Sequence, residues 1–148
     1  MAITTNAICN SFKKELLQAT HNFGTTAGTG NKFKLAMYTT NATIGASTTS
    51  FTTGGQVTSP AGYTSGGKAL VNTGTSLASA VAITNFSNLS FTNVTLTARG
   101  ALIYNTSASN KAVCVLDFGG NKTATAGTFT IQFPAFTTSA AILRIGNA

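Results

Sequence analysis

Residues 98–118 read ARGALIYNTSASNKAVCVLDF, and they contain the clearest structural pattern of the chain. Two apolar runs flank a polar loop, Asn105–Asn110, whose Asn and Ser residues favour a turn. Two such runs around a short polar loop are typical of an antiparallel β-hairpin. If the two asparagines flank the loop, the numbers of paired residues add to about 215, which brings Arg99 close to Asp117. We therefore predict a hairpin that carries a structural ion pair between these two side chains.

Strand patterns continue on both sides of this hairpin. The segment 32–38 alternates apolar and polar residues with a period of two, which is typical of a half-buried strand. In 89–96 the apolar positions shift from odd to even numbers after Phe91, so we predict a β-bulge near Asn93. The segment 39–79 is rich in Thr, Ser and Gly and is interpreted as short strands separated by turns. The predicted strands are 32–38, 81–83, 89–96, 98–104, 111–118, 128–133 and 141–145.

One segment predicts a helix. Between Asn6 and Thr20, the residues Ile8, Phe12 and Leu16 recur at intervals of four and form one apolar stripe. We expect an amphipathic helix over 6–20 whose stripe is buried, either against the chain's own sheet or against a neighbouring protein. These three apolar residues are therefore the candidate assembly anchor.

The order of these elements predicts the fold class. One helix followed by many short strands, without repeated strand–helix alternation, excludes doubly wound and barrel α/β folds. We predict a mainly β protein, a single antiparallel β-sandwich or jelly-roll-like domain over residues 1–148. Its N-terminal amphipathic helix would occupy 6–20 and its β-domain 31–148.

The composition combines high hydrophobicity with very little charge. Hydrophobic residues make up 43% of the chain and charged residues 7%, so Thr, Ser, Asn and Gly must supply the polar surface. Nine Lys and Arg against two Asp and Glu give a net charge of +7, so acidic partners need to be considered. The hydrophobicity argues against disorder, and no apolar run reaches the ~18 residues of a membrane helix. The N-terminus has no signal-peptide pattern, so we expect synthesis in the cytoplasm and no membrane contact.

The residue types that catalysis requires are scarce. Glu15 and Asp117 are the acids and His21 is the histidine of the whole sequence. Glu15 is expected as a helix-surface charge, and His21 near the helix C-terminus, where the dipole stabilises a cation. Cys9 and Cys114 are expected to be free and buried. Because acid–base catalysis and metal binding need clustered groups, we expect no catalytic, cofactor-binding or metal-binding residue, no small-molecule substrate and no enzymatic activity.

Two strings imitate known motifs. Gly62–Lys68 has the spacing of a phosphate-binding loop, but Ala69 follows where the motif needs Ser or Thr, so we interpret it as a turn. Asp117-Phe118-Gly119 matches the metal-binding triplet of kinases without their other signatures. We interpret it as a strand end, followed by a turn at Gly119-Gly120.

Six strings occur in a fixed order along the chain: SFKKELL at 11–17, KFKLA at 32–36, GYTSGG at 62–67, TARGALIYN at 97–105, VLDFGG at 115–120 and GTFTIQFP at 127–134. Together they resemble a group of small structural proteins of tailed bacteriophages, and the resemblance spans nearly the whole chain. It implies a non-enzymatic component of the virion, displayed on the capsid surface or in the tail.

Three functions remain open. The first is a capsid decoration or cement protein on the head surface, since a compact Thr-rich domain needs only one complementary patch for that role. The second is a tail, neck or fibre-associated structural protein that uses the helix as an anchor. The third is a nucleic-acid-binding module, which is the least favoured because Lys32, Lys34 and Tyr38 alone share a basic and aromatic face. We expect location in the virion after synthesis in the host cell, homo-oligomerisation, and contact with the major capsid protein or with tail and neck components.

Overall fold

The fold consists of two antiparallel β-sheets and one short helix. The computed structural model describes residues 3–58 and 60–147. The five-stranded sheet has the order β1-β7-β6-β2-β3 and the three-stranded sheet the order β4-β5-β8. The predicted fold class, mainly β with antiparallel sheets and one helix near the N-terminus, is confirmed. The elements are β1 Ala7–Ile8, α1 Asn10–Leu17, β2 Phe33–Tyr38, β3 Lys68–Ala69, β4 Asn72–Ala78, β5 Val81–Phe86, β6 Leu89–Asn105, β7 Lys111–Ile131 and β8 Leu143–Ile145.

The predicted hairpin is the centre of the larger sheet. β6 and β7 pair in antiparallel register, with Asn105 opposite Lys111 and Gly100 opposite Asp117. β2 pairs with the other edge of β6, where Leu35 lies opposite Ile103. The local pattern of two apolar runs around a polar loop therefore predicted the strand pair correctly.

Both hairpin strands are longer than the sequence indicated. The prediction of a turn at Gly119-Gly120 was wrong, because β7 continues through both glycines to Ile131. Four residues of β7, 118–121, lie opposite the single residue Arg99 of β6, and they form a bulge. Gly119 has a φ of +73°, which glycine adopts without steric cost, so the extra residues bend the strand without ending it.

The bulge predicted near Asn93 is confirmed. The β6–β7 register shifts on both sides of Val94, and Asn93 has a φ of +51°. Phe91, Val94 and Leu96 are all buried, although they do not follow one alternation. The irregularity therefore returns the apolar side chains to the core face.

The helix is shorter than predicted, 10–17 in place of 6–20. At its N-terminal end the chain is extended, and Ala7–Ile8 pair with β7. At its C-terminal end Ala19 has a φ of +56°. The Ala19 N–H donates to the Leu16 carbonyl at 3.2 Å and the Thr20 N–H to the Glu15 carbonyl at 2.9 Å. These two bonds are those of a Schellman motif, which satisfies the last carbonyls and ends the helix.

Aromatic side chains join the helix to both sheets. Phe23 stacks on Phe33 of β2, with ring centroids 4.6 Å apart, and Phe12 of α1 contacts Phe23 at 6.0 Å. Phe86 of β5 lies 5.6 Å from Phe33. All four rings belong to one core cluster that spans the two sheets in a sandwich-like arrangement. They fix α1 beside the three-stranded sheet.

The string that imitates a phosphate-binding loop is a turn. The Gly66 N–H donates to Gln56 Oε1 at 2.6 Å, and the Tyr104 hydroxyl donates to the Gly66 carbonyl at 2.6 Å. Gly67, with a φ of +77°, passes so close to β2 that a Cβ would overlap a backbone carbonyl there. The loop is therefore packed against the protein's own strands.

Candidate interaction site

The three candidate anchor residues have different exposures. Phe12 is buried and Leu16 is half-buried, whereas Ile8 is 37% exposed. Ile8 is therefore not buried by the chain's own sheet, and its burial against a neighbouring protein stays a prediction. Because residues 7 and 8 are extended, alternate side chains point to opposite sides, and Cys9 takes the buried position next to Ile8.

All three anchor residues nevertheless line one groove. It has a volume of about 470 Å³ and lies between α1 and the three-stranded sheet. Phe12, Leu16 and Leu17 form the helix side, and Ile8 lies at one end. β5 and β8 form the other side through residues 82–84 and 143–145. Most of this lining is apolar, so the groove is a candidate surface for protein contact.

The apolar surface extends beyond the groove along one row of the sheet. Leu77, Ala82 and Ile145 lie opposite one another on β4, β5 and β8. Leu77 is 74% exposed and Ile145 is 60% exposed. Leu17, at the end of α1, is also exposed. Large apolar side chains that cluster around one concavity are typical of a surface that another molecule covers.

Two basic side chains are the charged groups of the groove lining. Lys13 projects from α1, and its Nζ donates to Asn10 Oδ1 at 3.2 Å. Arg144 projects from β8, and its Nη1 donates to the Ser139 carbonyl at 2.9 Å. Both residues are exposed, and neither forms an ion pair with a residue in the described ranges. The groove therefore combines an apolar floor with positive charge at its sides.

A second, more polar groove follows the outer edge of β7. Its volume is about 800 Å³, and it is lined by β1, by β7, by residues 140–142 and by Arg144. Ile8 and Arg144 line both grooves. Ile8 therefore lies where the two concave surfaces meet.

A buried polar cluster beneath α1 was not expected from the sequence. Glu15 is 8% exposed, which corrects its interpretation as a helix-surface charge. Its Oε2 contacts His21 Nε2 at 2.9 Å, and its Oε1 accepts from Lys111 Nζ at 2.9 Å. His21 follows the helix as expected, but its ring is buried and contacts side chains. The cluster ties α1 to the start of β7.

The hydrogen bonds of Asn105 determine the tautomer of His21. Asn105 Oδ1 accepts from the Ser107 N–H, so its Nδ2 faces His21 Nδ1 at 3.0 Å and Asn31 Oδ1 at 2.8 Å. Because an amide nitrogen only donates, His21 Nδ1 is the acceptor and Nε2 carries the proton that Glu15 accepts. Both ring nitrogens are occupied, so this imidazole has no free site for proton transfer to a substrate.

The environment of Glu15 favours its ionised form. Burial by itself raises the pKa of a carboxyl group, but the hydrogen bonds from His21 and Lys111 and the charge of Lys111 outweigh that effect. The pKa of Glu15 is therefore lowered. The carboxylate is held by structural partners on both oxygens, which is the arrangement of a structural ion pair.

Arg99 and Asp117, predicted to meet across the hairpin, are in contact. Arg99 Nη1 and Asp117 Oδ1 form a mostly buried ion pair at the glycine bulge. The same oxygen accepts from the Gly119 N–H at 2.8 Å. This backbone hydrogen bond, together with the bond and charge of Arg99, lowers the pKa of Asp117. The pair holds the bulge in place.

The two cysteines are free and buried, as expected. Burial raises the pKa of Cys9 to about 11 and also raises the pKa of Cys114. A thiol with a raised pKa is a weak nucleophile at neutral pH. Among residues 3–58 and 60–147, no group of three or more His, Cys, Asp or Glu could hold a metal ion.

Comparisons with known proteins give no family assignment. No family model, no curated protein and no solved structure matches this chain. Within the described part of the chain, no helix has the length and apolarity to cross a membrane.

Proposed function

We propose that this chain is a non-enzymatic structural protein of a tailed bacteriophage particle, and specifically a capsid decoration protein on the head surface. The six strings that resemble such proteins support the particle assignment. The groove lined by Ile8, Phe12 and Leu16 supports docking to another virion protein, and it is the structural observation on which the proposal rests. These three residues form the anchor that was predicted from the sequence, and all of them line one concave apolar surface.

The exposed face of the long hairpin is compatible with display on a particle surface. Thr97 and Thr123 hydroxyls lie 2.7 Å apart across β6 and β7, and Ser90 and Thr130 hydroxyls lie 3.0 Å apart. Such cross-strand pairs keep a strand face wettable without charge. A many-copy surface protein then needs only one adhesive region, which the groove provides.

Copy number tests the proposed location. The chain is quantified by mass spectrometry in purified particles relative to the major capsid protein. We expect about one copy per capsid subunit, or about one per three, because decoration follows the symmetry of the lattice. A few to a few tens of copies per particle would place the chain in the tail or neck. Absence from particles would contradict the virion assignment and make nucleic-acid binding the leading hypothesis.

Incorporation of surface variants tests the docking role. Ile8→Ser removes an exposed apolar side chain from the groove, whereas Val71→Ser makes the same kind of change at a 66% exposed position outside it. We expect the first variant to be depleted from particles and the second to be incorporated normally. Circular dichroism establishes that both are folded. Equal incorporation of the two variants would contradict docking through the groove.

A further inference from the structure

The distribution of charge restricts what the groove can bind. The chain has two side-chain carboxylates, and both are held internally, Glu15 by Lys111 and His21, and Asp117 by Arg99. Two of the nine Lys and Arg side chains are used in these pairs. The other seven form no ion pair with a described residue. The charged surface of the protein is therefore cationic.

The groove lining also contains basic residues and no acidic residue. Ile8, Leu16 and Ile145 provide apolar surface, while Lys13 and Arg144 are the charged residues of its lining. Lys13 lies on the helix side of the groove. Arg144 alternates with Ile145 along β8, so its side chain leaves the opposite face of the strand, and its guanidinium, bound to the Ser139 carbonyl, adds positive charge beside the groove. An occupant that matches these features has apolar side chains toward the floor and carboxylates toward the two cations.

A second copy of the chain does not match the groove. Pairing two grooves would bring Lys13 and Arg144 of each copy together. Neither copy has a free side-chain carboxylate to offset this repulsion, because Glu15 and Asp117 are already paired. A bilayer surface is also a poor match, because much of the apolar lining is concave. A segment of a different protein fits both the shape and the charge.

We infer that the groove between α1 and β8 binds an apolar, carboxylate-bearing segment of another protein. This inference rests on the proposed docking role and names the chemistry of the partner. The apolar contacts with Ile8, Leu16 and Ile145 supply affinity. Lys13 and Arg144 supply orientation and selectivity for acidic partners. Binding weakens as salt rises, since exposed charge pairs are screened.

Two synthetic amphipathic peptides test the inference directly. They share one leucine face, and the opposite face carries Glu in one peptide and Lys in the other. Binding to the full chain is measured by fluorescence anisotropy at low and at physiological salt, and the contacted residues are mapped by NMR. We expect the Glu peptide to bind in the groove at least about tenfold more tightly than the Lys peptide.

Charge variants on one helix provide the matched control. Lys13 lines the groove and Lys14 does not, so Lys13→Glu and Lys14→Glu change the net charge equally and differ in position. We expect Lys13→Glu to weaken binding of the Glu peptide roughly threefold to tenfold, and Lys14→Glu to have little effect. Ile145→Asp should weaken it more than tenfold. Circular dichroism verifies the fold of each variant.

Four outcomes would overturn the inference. They are equal binding of both peptides, no binding of either, loss of binding to the same extent in the Lys13 and Lys14 variants, and a concentration-dependent dimer that Ile145→Asp abolishes. A further outcome would assign the surface to a membrane and also overturn the inference. In that outcome neither peptide binds, and phosphatidylserine vesicles bind the unmodified chain but not Ile145→Asp. The peptide assay uses the isolated protein, so its failure leaves the copy-number result unaffected.

A zero-length carbodiimide cross-link in purified particles identifies the natural partner. This reagent forms an amide bond between an amine and a carboxylate that are in direct contact. We expect Lys13 Nζ to be linked to an Asp or Glu of another particle protein, with Lys14 unlinked or linked less. A link from Lys13 only to another copy of this chain, or equal linking of the two lysines, would contradict the inference even if the chain is confirmed in particles.

Discussion

Replacement of Glu15 by Gln tests whether the buried polar cluster stabilises the fold. Glu15 is 8% exposed and accepts from His21 and Lys111, each at 2.9 Å. Gln has the same shape, but its amide group directs a donor toward one of these two donors. One hydrogen bond to the carboxylate is lost, and the acceptor of the other becomes a neutral carbonyl oxygen. Since a hydrogen bond to a charged group contributes about 1.5–3 kcal/mol, we expect the free energy of unfolding at pH 7 to fall by about 2–3 kcal/mol.

The pH dependence of stability gives a second, independent signature of the same group. The pKa of Glu15 is lowered from 4.5 and that of Asp117 from 3.8. A carboxyl group whose pKa is lower in the folded state binds more protons when unfolded, so its contribution is present above the unfolded pKa and is lost as pH falls through the folded pKa. Glu15→Gln should remove the loss that begins near pH 4.5. Asp117→Asn should remove the loss that begins near pH 3.8.

Urea unfolding followed by circular dichroism between about pH 2 and 7 measures both effects. Asp117→Asn is the matched control, because it neutralises the other acidic side chain of the sequence. The slope of the unfolding free energy against urea concentration should be the same for both variants as for the unmodified protein. The proposed role of the cluster would be wrong if Glu15→Gln were as stable as the unmodified protein at pH 7. It would also be wrong if Glu15→Gln lost stability in acid over the same pH range as the unmodified protein.

Three further predictions concern the backbone and the thiols. Gly67→Ala should lower the free energy of unfolding by about 3 kcal/mol or more, because the new Cβ would overlap a β2 carbonyl. Gly28 also has a positive φ but lies in open space, so Gly28→Ala should lower it by only about 1 kcal/mol. Equal urea midpoints for the two variants would contradict this prediction. Ala19→Gly should raise the free energy of unfolding by about 0.5–1 kcal/mol, since Ala19 has a left-handed backbone conformation at the helix end. A lower thermal midpoint for this variant would contradict the prediction. Cys9 and Cys114 should react with a thiol reagent only after unfolding, and rapid reaction of the native protein would contradict their burial.

The sequence predicted those parts of the fold that depend on local pattern. The hairpin around Asn105–Asn110 combines two apolar runs with turn-forming residues, and the bulge near Asn93 follows from a change of alternation within one strand. The continuation of β7 through Gly119 was missed, because a Gly-Gly pair ends many strands. Here four residues bulge opposite Arg99, and the ion pair with Asp117 holds them.

The buried polar cluster was missed because its partners are distant in sequence. Glu15 and Lys111 are separated by 96 residues, and Asn105 and His21 by 84. One local signal was present. Glu15 follows Phe12 by three residues, so the two side chains lie on the same face of a helix. Glu15 therefore belonged to the buried face from the start, and its carboxylate needed partners there.

One non-local contact accounts both for the shortened helix and for the exposed part of the anchor. Ile8 pairs with Cys114, and the Cys9 N–H donates to the Val113 carbonyl at 3.0 Å. These β-sheet contacts hold residues 7–9 in an extended form, so the helix cannot begin before Asn10. In a continuous helix Ile8 would lie one turn from Phe12, on the face that packs into the core. In the extended segment Cys9 occupies the core and Ile8 is left at the junction of the two grooves. The pairing of β1 with β7 therefore exposes an apolar side chain that a helical N-terminus would have buried, and supplies part of the surface proposed to bind a partner.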